Sequence, residues 1–205
     1  MRKYKTEQED FWAGDFGQEY IKRNNSPNLL ANNLMLFSKI FTNLCPIESV
    51  IEFGANIGMN LRAIQQLLPK ARLSAVEINS VASESLKQIN NVQVYNQSIL
   101  DFDTEEQFDF VFTKGVLIHI DPQSLQDVYE KLYSASKRYI CIIEYYNPTP
   151  VEVKYRGHDG KMFKRDFAGE LMQEYPSLKL LDYGFIYHKS YNFSDDDFNW
   201  FILQK

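Results

Sequence analysis

From residue 48 to residue 145, short apolar runs alternate with segments of helical period, and this order constrains the fold more than anything else in the chain. The runs are Ser49 to Gly54, Leu73 to Glu77, Val92 to Tyr95, Phe108 to Thr113 and Tyr139 to Tyr145. Each is too short for a helix and is bounded by turn residues, as a buried strand is. Between them, Ile57 to Leu68 reads as a helix stopped by Pro69, and Ser80 to Ile89 as a second. A third is opened by Asp121-Pro122, with Asp121 as its N-cap, and runs to Ala135. Strands alternating with helices predict a mostly parallel sheet covered by helices on both faces.

The flanks read differently. Around Asp10 to Ile21 the polar N-terminal stretch carries Phe11, Trp12, Phe16 and Tyr20 at the spacing of a short amphipathic helix broken by Gly14 and Gly17. Ser26-Pro27 starts a helix whose apolar face is Leu29, Leu30, Leu34, Phe37, Ile40, Phe41 and Leu44, ending before Pro46. Beyond Tyr146, Asn147-Pro-Thr-Pro150 is a turn, and residues 151–165 carry a charge cluster. Asp166 to Tyr175 reads as a helix. Leu178 to His188 and Phe198 to Leu203 read as two strands around Ser194-Asp-Asp-Asp197, a terminal hairpin that brings the sheet to seven strands. The expected organisation is a helical cap over residues 1–47 and one domain over 48–205, with 147–177 inserted on its substrate side.

Composition excludes several classes. At 205 residues the chain is long enough for one sizeable core and short for two. No apolar stretch reaches bilayer length. The charged opening lacks the apolar centre of a secretory signal, so a cytoplasmic location is expected. A net charge of −5 argues against a nucleic-acid partner. With two cysteines, Cys45 and Cys141, both expected to be buried thiols, with three histidines and with no HExxH or CxxC, no metal site is expected.

The segment that points to a ligand is Val50-Ile-Glu52-Phe-Gly54-Ala55-Asn56-Ile-Gly58, where a strand ends in a glycine-bearing turn and a helix follows. Ligands of open α/β sheets bind beyond the carboxyl ends of the strands. The dinucleotide fingerprint G-x-G-x-x-G is not met, because Asn56 replaces its second glycine. Glu52 is also a poor neighbour for a pyrophosphate but a good one for an amino group or a sulfonium. The next strand ends at Glu77, 23 positions after Gly54. A carboxylate there can accept hydrogen bonds from ribose hydroxyls. A nucleoside with a cationic tail fits both acids better than NAD does.

Glu52-Phe-Gly54-Ala-Asn56-Ile-Gly58, Val76-Glu77-Ile78-Asn79, Asn96-Gln-Ser98-Ile99 and Phe108-Asp-Phe-Val-Phe-Thr-Lys114-Gly-Val-Leu-Ile-His119 resemble successive motifs of class I S-adenosylmethionine (SAM)-dependent methyltransferases over about residues 48–146. Two departures are Asn56, in a loop usually richer in glycine, and Ser98, where many members have Asp. A narrower resemblance, to methylases associated with pseudaminic acid biosynthesis, rests on the stretches from Gln8 to Asn24, Thr113 to Ile120, Glu144 to Pro148, and Tyr155-Arg-Gly-His158 to Phe167.

These resemblances imply the Rossmann-like class I methyltransferase fold, SAM as cofactor and S-adenosylhomocysteine (SAH) as product. They also imply a small acceptor from a bacterial surface-glycan pathway, a sugar or nucleotide-linked sugar of the nonulosonic class. Gly54, Ala55 and Asn56 would underlie the methionine part and Glu52 its amino group. Glu77 would take the ribose hydroxyls and Ile78 the adenine face, with Ser98 and Ile99 at the adenine edge. Thr113, Lys114 and Gly115 would line the reactive end. Trp12 and Tyr20 either close a lid over the sulfonium or pack a helix on the core, and Arg23 is a candidate for the SAM carboxylate. His119, Tyr145 and His158 are the candidate bases; the alternative for His119 and Tyr145 is packing, and for His158, in the charge cluster, a solvated face. Tyr146, Tyr155, Arg156, Lys164 and Arg165 are the candidate acceptor contacts. An NAD-dependent oxidoreductase and a non-catalytic SAM-binding subunit are the competing functions, and the choice between monomer and homodimer stays open.

Overall fold

The computed structural model describes residues 4–24 and 26–205. Met1 to Lys3 of the charged opening, and Asn25, lie outside the described residues. Seven strands form one sheet: β1 (Ser49–Phe53), β2 (Arg72–Val76), β3 (Val92–Tyr95), β4 (Phe108–Lys114), β5 (Ser136–Glu144), β8 (Lys179–Phe185) and β9 (Asn199–Gln204). Their order is β3-β2-β1-β4-β5-β9-β8. The first five run parallel, and β9 pairs antiparallel with both β5 and β8. The expected terminal hairpin is present, with its later strand inserted between β5 and the edge.

Side-chain alternation shows why both faces are covered. Along β5, Tyr139, Cys141 and Ile143 point into one apolar cluster, and Ile140 and Ile142 into the other. Val50 against Ile51 and Phe53, and Phe110 and Phe112 against Val111, divide in the same way. Strands buried on both faces therefore read as unbroken apolar runs. The first face packs against α3 (Pro27–Phe41), α4 (Met59–Leu67) and α5 (Ser80–Leu86). The second packs against α6 (Leu125–Ala135) and α7 (Phe167–Glu174).

The helix starts follow local chemistry. Ser26 accepts from the amide of Leu29 with Pro27 in the first turn, Asn79 accepts from Val81 and Ala82, and Asp166 from Gly169. Asp121 caps a 3-10 turn over Pro122–Ser124 rather than the long helix, which begins at Leu125. A two-residue antiparallel pair, β6 (Val151–Glu152) with β7 (Phe163–Lys164), organises the charged loop.

Two further expectations need correction. The N-terminal segment is two helices, α1 (Glu7–Ala13) and α2 (Asp15–Arg23), broken at Gly14 only. Gly17 lies inside α2, where it lets the helix pass against the Trp12 carbonyl; a Cβ there would sit 1.9 Å from that oxygen. Cys141 is buried, but Cys45 is exposed because its loop leaves the core after α3. No described helix is long and apolar enough to cross a membrane.

Candidate active site

Strand order reverses between β1 and β4, where β1 continues to β2 on one side and β4 to β5 on the other. A crevice must open beyond the strand ends there. It holds a cavity of about 450 Å³, within the range of small-molecule sites.

Its floor is the turn from β1 to α4. The amides of Gly54 and Ala55 both donate to the Val76 carbonyl, at 2.8 and 3.2 Å, which fastens the turn to the end of β2. Gly54 has φ +78°, and a Cβ on it would meet Val116 at 2.6 Å. Only glycine fits both conditions. The Asn56 amide donates to Glu77 Oε2 and the Asn79 amide to Glu77 Oε1, each at 2.7 Å. Glu77 is thus locked at the cavity wall, with the Ile78 amide also directed at its carboxyl, and burial raises it above the usual carboxylate range. Beneath the floor, Glu52 is fully buried. Asn60 Nδ2 donates to its Oε1 at 2.6 Å, and Oε2 has no partner among the described residues. Burial pushes its carboxyl up to about 8.

The ends of β4 and β5 form the opposite side. Glu144 is buried and gathers donors from Thr113 Oγ1 (2.6 Å) and from the amides of Val116 (2.9 Å), Leu117 (2.9 Å) and Ile118 (3.4 Å). It shapes the loop after β4, and burial holds it up to about 7. The Lys114 side chain, only 6% exposed, pairs with Asp195 at 2.6 Å and donates to Asn33 Oδ1 at 2.8 Å. That pairing offsets a positive charge that would otherwise repel a cationic ligand.

The roof is α1 and α2. Trp12, Tyr20 and Arg23 line the cavity, and the Asn79 amide group donates to the Trp12 carbonyl at 3.1 Å. Trp12 meets Tyr20 at 5.2 Å and His119 at 4.6 Å, and His119 meets Tyr155 at 4.7 Å. His119 Nδ1 lies 2.6 Å from the Lys161 carbonyl and must donate to it, which leaves Nε2 as the free acceptor. Burial pushes its pKa down to about 4, so the ring is neutral at physiological pH. Tyr145 stacks on Phe198 at 4.8 Å and hydrogen-bonds Asp196; burial raises its phenol.

The structure brings Trp12, Tyr20, Arg23, Gly54, Ala55, Asn56, Glu77, Ile78, Ser98, Ile99, Lys114, Gly115, His119, Tyr145, Tyr155 and Arg156 to this one cavity. Six expected residues stand elsewhere. Glu52 lies behind the wall. Thr113 is buried on Glu144 instead of lining the reactive end. His158 is exposed at the hairpin tip, bridged to Tyr155 and packed against Phe11 at 5.1 Å. Tyr146, 41% exposed, turns toward Phe201, away from Tyr145. Lys164 lays its ammonium over the Tyr145 ring at 4.9 Å, outside the wall, and Arg165 pairs with Glu170 of α7 at 2.7 Å. Sequence reasoning missed Glu9, Asn33, Asn60, Asp195 and Asp196. The Asp195-Asp196 run stood in view as a turn, and only the folding-back of the loop between β8 and β9 places it here.

No cluster of potential metal ligands occurs among the described residues. SAM fits the donor set: a buried carboxyl oxygen at Glu52, unpartnered among the described residues, for a cation, the cavity-lining carboxyl of Glu77 for hydroxyls, and aromatic faces at Trp12 and Tyr20 for a sulfonium.

Comparison with known proteins agrees. Residues 50–138 match a family described as a methyltransferase domain. No curated protein matches the sequence. Among solved structures, 1,6-didemethyltoxoflavin-N1-methyltransferase of Burkholderia thailandensis, bound to 1,6-didemethyltoxoflavin and SAH, aligns with a TM-score of 0.67 at 14% identity, over 97% of this chain and 86% of that one. Magnesium protoporphyrin IX methyltransferase from Synechocystis PCC 6803, with bound SAM, aligns over 100% of both chains with a TM-score of 0.66 at 12% identity. The plantazolicin methyltransferase BpumL, in complex with a pentazolic desmethylPZN analog and SAH, aligns with a TM-score of 0.65 at 14% identity, over 96% of this chain and 94% of that one. At such identities the likeness is one of fold. Residues 50–138 thus resemble a methyltransferase domain, and the chain as a whole has the Rossmann-like fold of class I methyltransferases.

Proposed function

We propose that the protein transfers a methyl group from SAM to an oxygen or nitrogen of a small polar acceptor. The observation that carries this reading is the opening of Gly54, Asn56 and Glu77 onto one cavity with the buried, half-partnered carboxyl of Glu52 directly behind it. SAM supplies an already activated methyl group on a sulfonium, so the chain's task is chiefly positioning. Glu52 faces the amino group of the methionine part, directly or through water. Glu77 accepts from the ribose hydroxyls, and Ile78 and Ile99 flank the base. Trp12 and Tyr20 exclude water from the reactive end. His119 Nε2 takes the proton from a hydroxyl acceptor; an amine needs no base beyond its own neutral form. In this reading residues 1–47 are the cap, 48–205 the catalytic domain, and 147–177 its acceptor-side insertion.

The acceptor carried over from the resemblance is a sugar or nucleotide-linked sugar of the nonulosonic class, in a cytoplasmic pathway. With Lys164 and Arg165 engaged elsewhere, Arg156 is the one of these three loop cations that lines the cavity and meets an acidic group of such a sugar. Titration calorimetry with SAH and with NAD tests the cofactor, and NAD binding without SAH binding would favour the oxidoreductase. Methyl transfer from labelled SAM by the chain alone, onto nonulosonic acids and their nucleotide-linked forms, tests the acceptor. SAH binding with no turnover on that panel removes the sugar assignment and leaves the cofactor assignment standing.

A further inference from the structure

Along the track from β1 to β3, the far end of the cavity holds a group that the proposed function leaves unused. Past Ile78 the wall is Ser98, Ile99 and Leu100, on the loop that follows β3. Apolar side chains there suit the faces of a purine but offer nothing to an exocyclic amine, whose buried N–H groups require an acceptor. Of the five carboxylates that line the cavity, Glu9 is the one whose side chain reaches this loop.

Glu9 is 7% exposed and is held from two sides. Its Oε2 accepts from the Thr6 amide at 2.8 Å and from Thr6 Oγ1 at 3.1 Å, closing the capping box of α1. Its Oε1 accepts from the Ser98 hydroxyl in a short contact. The capping box accounts for Thr6 but not for Ser98, whose own turn is already capped through the Leu100 amide at 3.0 Å. Lys5 fastens the same stretch of chain to the loop a second time, pairing with Asp101 at 2.7 Å and donating to the Leu100 carbonyl at 3.2 Å. Oε1 thus keeps one lone pair on a carboxylate fixed at the cavity wall.

We propose that Glu9 is the acceptor for the exocyclic amine of the cofactor's adenine, so that the base is read from α1 rather than from the sheet. The proposal rests on the SAM reading above. It requires that the site reject a base with a carbonyl at that position, because two acceptors would then face each other with no proton between them.

The test is titration calorimetry with SAH and with its 6-oxo counterpart, S-inosylhomocysteine, on the wild type and on Glu9→Gln. The glutamine keeps the capping box, which accepts Glu or Gln, and its amide can turn an N–H toward a carbonyl. The wild type should bind SAH at least about tenfold more tightly than S-inosylhomocysteine. In Glu9→Gln that preference should shrink to within about threefold, chiefly through weaker SAH binding. Equal affinity of the wild type for the two ligands overturns the assignment without need of any variant, as does a preference that Glu9→Gln leaves intact. Either result leaves SAM binding in place, whereas a wild type that binds no SAH removes the reading beneath it.

Discussion

Replacing Glu52 by glutamine separates what this carboxyl does for the fold from what it does for a ligand. Among the described residues it has one hydrogen bond, from Asn60, and an oxygen with no partner. Burial pushes it up to about 8, against 4.5 for an ordinary glutamate. Between these values the folded chain keeps a proton that the unfolded chain has lost. The folded state binds more protons there, so stability falls as pH rises through the window, and the loss is complete above about pH 8. At about 1.4 kcal/mol per pH unit the window corresponds to about 5 kcal/mol, an upper figure because any water reaching the group reduces it. Glutamine does not titrate. Glu52→Gln should therefore match the wild type in urea midpoint near pH 5 and exceed it clearly at pH 8.5, at unchanged m. Glu144, pushed up to about 7, adds a slope of the same sign to both proteins and cancels in the comparison. A cationic ligand reverses the balance. At pH 7 about nine in ten wild-type molecules hold the proton, so SAH binding should release close to one proton in buffers of differing protonation enthalpy. The variant should release none and bind more weakly. A stability gap that does not widen between pH 5 and 8.5 would refute the burial argument, and equal SAH affinity would refute the role toward the amino group.

Gly58→Ala and Gly157→Ala both place a side chain at positive φ, +80° and +91°, but only the first drives a Cβ into packed neighbours, at 2.4 Å from Ile89 and 2.7 Å from Leu86. Gly157→Ala should cost about 1–2 kcal/mol of backbone strain and Gly58→Ala about 1–3 kcal/mol more, read as urea midpoints; equal losses would mean that the turn relaxes. Glu144→Ala strands the Thr113 hydroxyl and three amides and should cost about 3 kcal/mol or more in denaturant unfolding. His119→Asn should lower kcat for a hydroxyl acceptor about 10²- to 10⁴-fold with SAH affinity nearly unchanged. Because burial holds His119 down to about 4, the wild-type acid limb of kcat/KM should fall only below about pH 5, and a limb near 6.5 would exclude it as the base.

The sheet was legible because its strands carry their own signal. Val50-Ile-Glu-Phe53 and Tyr139-Ile-Cys-Ile-Ile143 are apolar on both faces, and such runs flanked by helical periods leave few arrangements. The hairpin of β8 and β9 was readable from its length and turn residues. The insertion of β9 between β5 and β8 was not, since pairing partners are chosen by the sheet as a whole. At Gly17 the local rule failed, because glycine breaks a helix only where nothing else gains from it. Here its missing side chain makes room for the Trp12 carbonyl, and tertiary contact outweighs propensity.

The same distinction divides the site. Gly54, Asn56, Glu77 and Ser98 follow strand ends and Lys114 closes one, and a strand end fixes a residue's position before any side chain is considered. Lys164, Arg165 and His158 sit on a loop, where charge marks only that a partner will be sought. Arg165 finds Glu170, Lys164 finds the Tyr145 ring, and His158 finds Phe11 and Phe16, all closer to hand than a ligand. The residues that replace them at the cavity, Glu9 and Asp195, arrive from segments 89 and 81 positions away from the groups they meet, Ser98 and Lys114. A cationic loop near a strand end is therefore weak grounds for an acidic acceptor. The one guanidinium of the cluster that stays at the cavity is Arg156, at φ +49° with its charge over the Tyr155 ring, held there by its backbone and its neighbour together.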